Sequence, residues 1–239
     1  VGSDIGCGIS AFQTTLSRHS LDEDAIDNIM NKILKRIPVG FDQHTIPIYD
    51  QYIKELDAKL VTDISNGIAN SVEEKLEKIS KMVECQLGTL GSGNHFIELS
   101  YDENDIVWVT IHSGSRGIGG KVGNYYHKQA QILCEKWRSS TPKDLPFLPM
   151  SELIGRTYFA NMWICQRYAK LNRKVMMRIC MDVLLHGSSP DSDIQDVYHN
   201  FANIEQHGGK KVIVHRKVAT PALKGEFAII PGSMTTKSY

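Results

Sequence analysis

The sequence lacks a run of apolar residues long enough to cross a membrane, and it lacks an amino-terminal signal peptide. These absences argue against membrane and secreted proteins, so we expect a soluble cytoplasmic protein with no membrane partner. Its five cysteines are odd in number and scattered, which fits a reducing compartment better than a disulfide framework. An excess of charge is also missing, because 27 Lys and Arg balance 27 Asp and Glu. Any nucleic acid would have to be held by a local basic patch.

The chain does contain enough apolar sequence for a sizeable core. It has 239 residues, of which 41% are hydrophobic, and we expect one domain over residues 1–239. Motif-like sequence begins at Val1 without an initiator methionine, and the chain stops at Tyr239 with no terminal helix. We therefore expect a chain truncated at both ends.

Residues 87–120 hold the densest group of chemically active side chains. Two short β-branched runs, one beginning at His95 and one ending at His112, flank the polar turn sequence YDEND, which predicts two antiparallel strands. With the turn centred on Glu103 and Asn104, the two histidines become direct cross-strand partners. Their Cβ atoms would be about 5 Å apart, a spacing at which imidazoles can share a metal ion or a phosphate.

Glycines surround the histidine end of this hairpin on both sides. Such runs permit positive φ and let backbone N–H groups approach an anion closely. Arg116 adds a planar fork suited to a phosphate. Each feature alone also fits structural histidines in a sheet with glycine-rich turns. Together, the paired histidines with Asn94 and Arg116 predict a metal or phosphate site.

Two further segments contribute candidate ligands. Asp4 and Cys7 lie three residues apart among glycines, so a tight turn can point a carboxylate and a thiolate at one centre. Alone, this pair is more typical of a turn aspartate and a buried cysteine than of a metal site. His199 is followed by an asparagine, but an isolated histidine is a weak metal signal.

The hydrophobic periodicity predicts a mixture of helices and strands. Helices are expected over residues 20–36, 49–64, 71–83 and 121–137, with Ser20 and Ser71 opening capping boxes. The helix from residue 121 would direct its dipole at the glycines, where it can support an anion. Residues 151–185 predict one long buried helix or two joined near Leu171. Strands are expected over residues 211–218, with a basic far end, and 227–234.

Six separated blocks of the chain resemble those of the RtcB family of RNA-splicing ligases. They are VGSDIGCG, LGTLGSGNHFIEL, IHSGSRGIG, YHN, HRKVAT and IIPGSM. They occur in the family's order and with similar spacing over essentially the whole chain, which makes the match highly specific. The resemblance implies an RtcB-like α+β fold in which β-sheets carry a dinuclear metal site and helices pack outside.

The resemblance also implies a GTP- and manganese-dependent RNA ligase. That family joins an RNA 3′-phosphate or 2′,3′-cyclic phosphate end to a 5′-hydroxyl end, in tRNA splicing or RNA repair, through a guanylylated histidine. The expected partners are RNA, such as tRNA halves, GTP and an accessory activator protein. Two divalent ions can clamp a phosphorus centre and neutralise its developing charge. The residues alone leave zinc, iron, cobalt or manganese open, so manganese enters only through the resemblance.

The family's functional residues can be carried over to matching positions of this chain. The implied metal ligands are Asp4, Cys7, His95, His112 and His199, with the Cys7 thiolate bridging two ions. The implied nucleotide contacts are Asn94, Glu98, Pro231, Gly232, Ser233 and Met234. Arg116 and Lys217 resemble the basic groups that hold an RNA or substrate phosphate.

The chain departs from the family pattern in several places. The family's nucleophilic histidine lies in a Ser-His-Gly-Ala-Gly-Arg block downstream of PGSM, so we expect this chain to bind metal and, weakly, GTP, but not to ligate. An upstream segment rich in Asp, His and Gly is also missing. Val218 and Thr235 stand where the family has glycine. Because positive φ is costly for a β-branched residue, the sequence predicts either an ordinary backbone there or a rebuilt loop.

Two other functions fit the same residues. A metal-dependent RNA phosphoesterase needs the same dinuclear centre without a covalent nucleotide. A non-catalytic RNA-binding paralogue would carry Val218 and Thr235 as signs of a decayed nucleotide pocket. Release of phosphate from an RNA 3′-phosphate without GTP would favour the first, and RNA binding without metal would favour the second.

Overall fold

The computed structural model describes residues 1–48, 52, 55–142, 145–185, 194–232 and 236–239 of the chain. The helices within these ranges are α1 (Glu23–Arg36), α2 (Glu55–Val72), α3 (Leu76–Gln86), α4 (Arg116–Lys136) and α5 (Leu153–Leu185). The strands are β1 (Gly8–Ser17), β2 (Phe96–Tyr101), β3 (Ile106–Ser113), β4 (Gln195–Tyr198), β5 (Asn200–His207) and β6 (Lys210–Lys217). No helix in the described ranges is long and apolar enough to cross a membrane.

An antiparallel sheet in the order β2-β3-β1-β4 positions the site. Its central strand β1 pairs with both β3 and β4. Sequence analysis missed β1, because the strand is buried continuously from Gly8 to Phe12 and shows little alternation of polar and apolar residues there. Strands β5 and β6 form a separate hairpin. The expected mixture of α and β structure is confirmed, with antiparallel pairing throughout the named strands.

Helix α5 forms the centre of the core. It packs against β1 and β3, while α1, α2 and α4 pack around it. The helix runs unbroken for 33 residues, so the alternative of two helices joined near Leu171 is wrong. Its methionines and cysteines fill the core, as a 3.6-residue apolar pattern on a buried helix predicts.

The predicted helices are present in the described residues, but several of their ends differ. Helix α1 is capped by Asp22, whose carboxylate accepts a hydrogen bond from the Ala25 N–H at 2.8 Å, and not by Ser20. Ser71 lies inside α2 and therefore does not cap α3. Helix α4 begins at Arg116, ahead of the predicted residue 121. Periodicity locates a helix but not its ends, which depend on which side-chain oxygen reaches the free N–H groups.

Residues 227–232 do not form the predicted strand. Ile230 exchanges two backbone hydrogen bonds with Tyr239, of 2.7 and 2.9 Å, but none of the named strands pairs with this segment. A run of β-formers becomes a strand only when a neighbour completes its ladder. Residues 233–235 lie outside the described residues, as do residues 49–51, 53 and 54 of the predicted second helix.

Candidate metal centre

In the hairpin of β2 and β3, the cross-strand partner of His112 is one residue away from the predicted partner. His112 pairs with Phe96, not with His95, which lies just before β2. The turn explains the shift. The Asp102 carboxylate accepts two backbone N–H groups at 2.9 and 3.1 Å, and Asp105 adopts a positive φ of 60°. This is a three-residue loop with a left-handed last residue, so its centre falls on Asn104, half a residue later than expected, and each cross-strand pairing moves by one residue.

The structure nevertheless brings all five predicted ligands together. The His95 and His112 ring centroids are 5.3 Å apart. Cys7 Sγ lies 3.6 Å from His95 Nε2 and 3.2 Å from His112 Nε2, and these three side chains offer ligand atoms within 4.8 Å of one another. Asp4 Oδ2 lies 2.9 Å from His95 Nε2 on one side. On the other side, His199 Nε2 lies 3.1 Å from His112 Nε2.

Backbone carbonyls set the direction of two imidazoles. His95 Nδ1 lies 2.9 Å from the Leu90 carbonyl oxygen, and His112 Nδ1 lies 3.0 Å from that of Asn94. Because a carbonyl oxygen only accepts, each Nδ1 is the donor, and the Nε2 of each ring faces the cluster. A hydrogen bond on the far nitrogen is the usual way in which a protein orients a metal-binding histidine.

The spacing of the donor atoms fits a metal ion. Ligand atoms that bind one ion at about 2.0–2.3 Å lie about 3–3.6 Å from each other. The separations between Cys7 Sγ and the two imidazoles, 3.2 and 3.6 Å, match that spacing. So does the 3.1 Å between His112 Nε2 and His199 Nε2. The mixed thiolate, imidazole and carboxylate set leaves the identity of the metal open.

The electrostatics of the cluster also suit a cation. Burial and then the neighbouring imidazoles lower the pKa of His112 to about 4, so its ring is neutral at pH 7. Burial alone would raise the pKa of Asp4, but hydrogen bonds from His95 and from the Ser115 N–H lower it below its usual range. Burial and the nearby carboxylate raise the pKa of the Cys7 thiol. A bound cation would therefore displace a proton from this sulfur.

Two glycines make room for these side chains. A Cβ atom on Gly114 would overlap the Asp4 carboxylate. Gly91 has a positive φ of 96°, and a Cβ there would overlap the Arg116 guanidinium and approach His95 Nδ1. The anion expected at the start of α4 is the Asp4 carboxylate itself, because its Oδ1 accepts the Ser115 N–H at 3.1 Å.

The two predicted phosphate-binding cations lie on different sides of the cluster. Arg116 donates from Nε to Thr89 Oγ1 at 2.9 Å and from Nη2 to the Gly40 carbonyl at 3.0 Å. Lys217 is exposed at the end of β6, where it pairs with Asn200, the residue after His199. Their roles toward a phosphate stay predictions.

The predicted nucleotide contacts are more scattered. Asn94 has an exposed side chain, and its carbonyl accepts from His112. Glu98 is half-buried in β2 opposite Thr110. Pro231 and Gly232 are exposed, while Ser233 and Met234 lie outside the described residues. Binding of a nucleotide by these residues stays a prediction.

Sequence reasoning missed the polar side chains that hold the loops of the cluster. Asn172, in the middle of α5, accepts the N–H groups of Gly88 and Thr89 at 2.7 and 3.2 Å, which fixes the loop before His95. Asn200 accepts the Gly2 N–H at 2.7 Å and donates to the Asp4 carbonyl at 2.5 Å. The sequence feature that could have indicated this role is the presence of two adjacent polar residues, Asn172 and Arg173, inside an otherwise apolar helix.

Val218 does not adopt the ordinary backbone that was one of the two expected alternatives. It occupies the left-handed region, with φ 56°, at the position where the family pattern has glycine. The next residue, Ala219, donates its N–H to the His199 carbonyl at 3.2 Å. The loop therefore keeps a glycine-like backbone that ties the end of β6 to a predicted ligand.

Comparison with known proteins gives a consistent family assignment. A family model described as tRNA-splicing ligase RtcB matches residues 1–239. The RNA-splicing ligase RtcB of Escherichia coli strain K12 is 32% identical over 257 residues, covering 100% of this chain and 61% of the relative. The tRNA-splicing ligases RtcB of Methanococcus maripaludis and Thermococcus kodakarensis are 30% and 28% identical, with the same coverage. The chain thus spans 61% of the length of these relatives.

Proposed function

This chain belongs to the RtcB family of tRNA-splicing ligases, and we propose that it supplies the metal-binding core of an RNA ligase. The proposed reaction joins an RNA 3′-phosphate or 2′,3′-cyclic phosphate end to a 5′-hydroxyl end in the cytoplasm. The proposed cofactors are GTP and two Mn²⁺ ions, and the proposed partners are RNA and an accessory activator protein. The observation that carries this proposal is the position of Cys7 Sγ between two imidazoles, 3.6 Å from His95 Nε2 and 3.2 Å from His112 Nε2.

The donors divide into two subsites. The first subsite consists of Asp4, Cys7 and His95, linked by separations of 2.9 Å between the carboxylate and Nε2 and 3.6 Å between Nε2 and sulfur. The second consists of Cys7, His112 and His199, linked by 3.2 and 3.1 Å. Since Cys7 belongs to both, its thiolate would bridge two ions. When bound, a pair of divalent ions neutralises the charge that develops at a phosphorus centre during displacement.

The cations of the chain supply the complementary role of holding phosphate groups. Arg116 lies against Gly91 and His95 at the first subsite. Lys217 pairs across the β5–β6 hairpin with Asn200, the residue after the second-subsite ligand His199. A planar guanidinium can bind phosphate through two parallel hydrogen bonds, whereas an ammonium acts as a point charge on a flexible stem. We propose that they hold RNA phosphates on the two sides of the metal pair.

The metal content of the purified chain tests the core of this proposal. After reconstitution with Mn²⁺ and gel filtration, we expect two ions per chain, measured by inductively coupled plasma mass spectrometry. Cys7→Ala should abolish the two-ion state, because each subsite loses its sulfur. The matched control is Cys85→Ala, which removes another buried thiol, in α3. Two ions per chain in Cys7→Ala would show that the ligand assignment is wrong.

RNA binding tests the proposed substrate. The Mn²⁺-loaded chain should bind an oligoribonucleotide with a 3′-phosphate more tightly than the same oligomer with a 3′-hydroxyl. Release of inorganic phosphate from that end without GTP would identify a metal-dependent phosphoesterase instead. Equal RNA binding in chelator and in Mn²⁺ would identify a non-catalytic RNA-binding protein. Either result would overturn the ligase proposal.

A further inference from the structure

A buried ion pair lies directly behind the metal cluster. The side chains of Arg173, in α5, and Asp196, in β4, are 0% and 5% exposed. Arg173 Nε donates to Asp196 Oδ2 at 2.7 Å, and Nη2 donates to Oδ1 at 2.9 Å. A bidentate pair of this kind has a fixed geometry, because the planar guanidinium matches the plane of the carboxylate.

The remaining guanidinium nitrogen binds the backbone beside two predicted ligands. Arg173 Nη1 donates to the carbonyl oxygens of Gly6 and Ser113, each at 2.9 Å. Gly6 immediately precedes Cys7, and Ser113 immediately follows His112. One side chain therefore sets the separation between the segments that carry the bridging sulfur and an imidazole of the second subsite.

Asp196 extends the same unit to the third ligand of the second subsite. It lies in β4, which leads into His199, and it accepts a hydrogen bond from Ser10 Oγ at 2.5 Å. The His199 N–H in turn donates to the Cys7 carbonyl at 3.0 Å. The Cys7, His112 and His199 segments are thus fixed to one ionic unit.

The first subsite is held by different groups. The Asp4 carboxylate accepts the Ser115 N–H at 3.1 Å, and His95 Nδ1 donates to the Leu90 carbonyl at 2.9 Å. Neither of these contacts involves Arg173 or Asp196. The two subsites share the sulfur of Cys7 and some backbone links, since His112 Nδ1 donates to the Asn94 carbonyl, next to His95, and Asn200 donates to the Asp4 carbonyl. The contacts of Arg173 and Asp196 lie at Gly6, Ser113 and Ser10, so they support the second subsite more directly than the first.

We propose that Arg173 and Asp196 are positioning residues that set the metal affinity of the second subsite, Cys7, His112 and His199, more strongly than that of the first. This inference rests on the proposed function and deepens it. Groups that hydrogen-bond to metal ligands commonly change metal affinity by about 10–100-fold when they are replaced. Arg173 and Asp196 act through the backbone next to the ligands, so we expect an effect at the lower end of this range. A role in folding alone would instead leave the affinity of the folded protein unchanged.

The test is a titration of the full metal-free chain with Mn²⁺, in which electron paramagnetic resonance measures the concentration of free Mn²⁺ at each step. In Asp196→Asn we expect one of the two ions to bind about 10-fold more weakly and the affinity of the other ion to change less. Asp102→Asn is the matched control, because that carboxylate also accepts several hydrogen bonds but lies in the turn between β2 and β3.

Two backgrounds identify the affected ion. His199→Ala removes a ligand of the second subsite, so adding Asp196→Asn to it should change the remaining Mn²⁺ affinity little. His95→Ala leaves only the second subsite complete. Adding Asp196→Asn to it should lower the affinity for the remaining ion by the same factor as in the single variant. Equal effects on the two backgrounds would overturn the inference, as would unchanged affinities in the single variant.

Folding is checked by circular dichroism, since breaking a buried ion pair is costly. If Asp196→Asn does not fold, Ser10→Ala replaces it, because that change removes only a hydroxyl donor to Asp196. Ser10→Ala should lower the affinity for the same ion by a smaller factor. An unchanged Mn²⁺ binding isotherm would then refute the inference. A wild-type chain that binds no Mn²⁺ would overturn the proposed function as well, whereas two ions with normal variants would overturn the inference alone.

Discussion

Replacing Val218 by glycine should stabilise the protein. Val218 has a positive φ of 56° and is 84% exposed. Left-handed backbone costs an L-residue about 1–2 kcal/mol relative to glycine. Glycine gives back about 0.5–1 kcal/mol through the greater freedom of the unfolded chain. Because the valine side chain is mostly exposed, little apolar burial is lost, and the net gain in unfolding free energy should be about 0.5–1 kcal/mol.

Thermal and urea unfolding followed by circular dichroism would measure this gain. For a chain of this size, the unfolding temperature should rise by about 1–4 °C. Val218→Asn should also stabilise, since asparagine tolerates the left-handed region better than a β-branched residue. The matched control is Val212→Gly in β6, where φ is negative and glycine should destabilise by about 1 kcal/mol. Equal losses in Val218→Gly and Val212→Gly would refute the strain argument.

Two further predictions concern the cluster and its central strand. The metal-free chain should lose up to about 3 kcal/mol of stability as pH falls from about 6.5 to about 4, because burial and neighbouring imidazoles lower the pKa of His112 from 6.5 to about 4. Between pH 4 and pH 6.5 the unfolded state binds this proton and the folded state does not, so the unfolding free energy rises with pH. Midpoints of urea unfolding measured across this range should show the rise, and His112→Gln should make them depend less on pH. Gly8→Ala should destabilise by about 1–3 kcal/mol or more, since a Cβ at Gly8 would overlap the Val197 carbonyl oxygen. Gly120→Ala in α4 is its control, because nothing lies within 4 Å of that Cβ, and a neutral or stabilising effect is expected there. A flat pH profile, or equal effects of the two alanines, would contradict these arguments.

The elements that could be predicted from the sequence are those specified by neighbouring residues. Helices α1, α4 and α5 follow from apolar residues at helical spacing, and the β2–β3 hairpin follows from two β-branched runs around a polar turn. The exact register did not follow, because it depends on the left-handed backbone of Asp105. The expected strand over residues 227–234 failed, since β-propensity describes a fit to a neighbouring strand that the described part of this segment does not have.

The sequence by itself determined the chemistry that the site can offer. The candidate donors are a thiol, a carboxylate and three imidazoles, which lie among glycines in motifs shared with a known family. Their chemistry does not depend on how the chain folds. Residue types fix softness, charge and hydrogen-bonding capacity, and these properties are local. The resemblance implied their roles, and the structure adds that Cys7, His95 and His112 lie together, with Asp4 and His199 next to them.

Only the tertiary structure decided how these donors are held. Arg173 and Asp196 are 23 residues apart, and Arg173 reaches the carbonyl of Gly6, which is 167 residues away along the chain. In the sequence, the adjacent Asn172 and Arg173 resemble a break in an apolar helix. The fold gives them partners, because a buried polar group must find its hydrogen bonds wherever packing brings them. Such pairings depend on the path of the whole chain, and no local pattern encodes them.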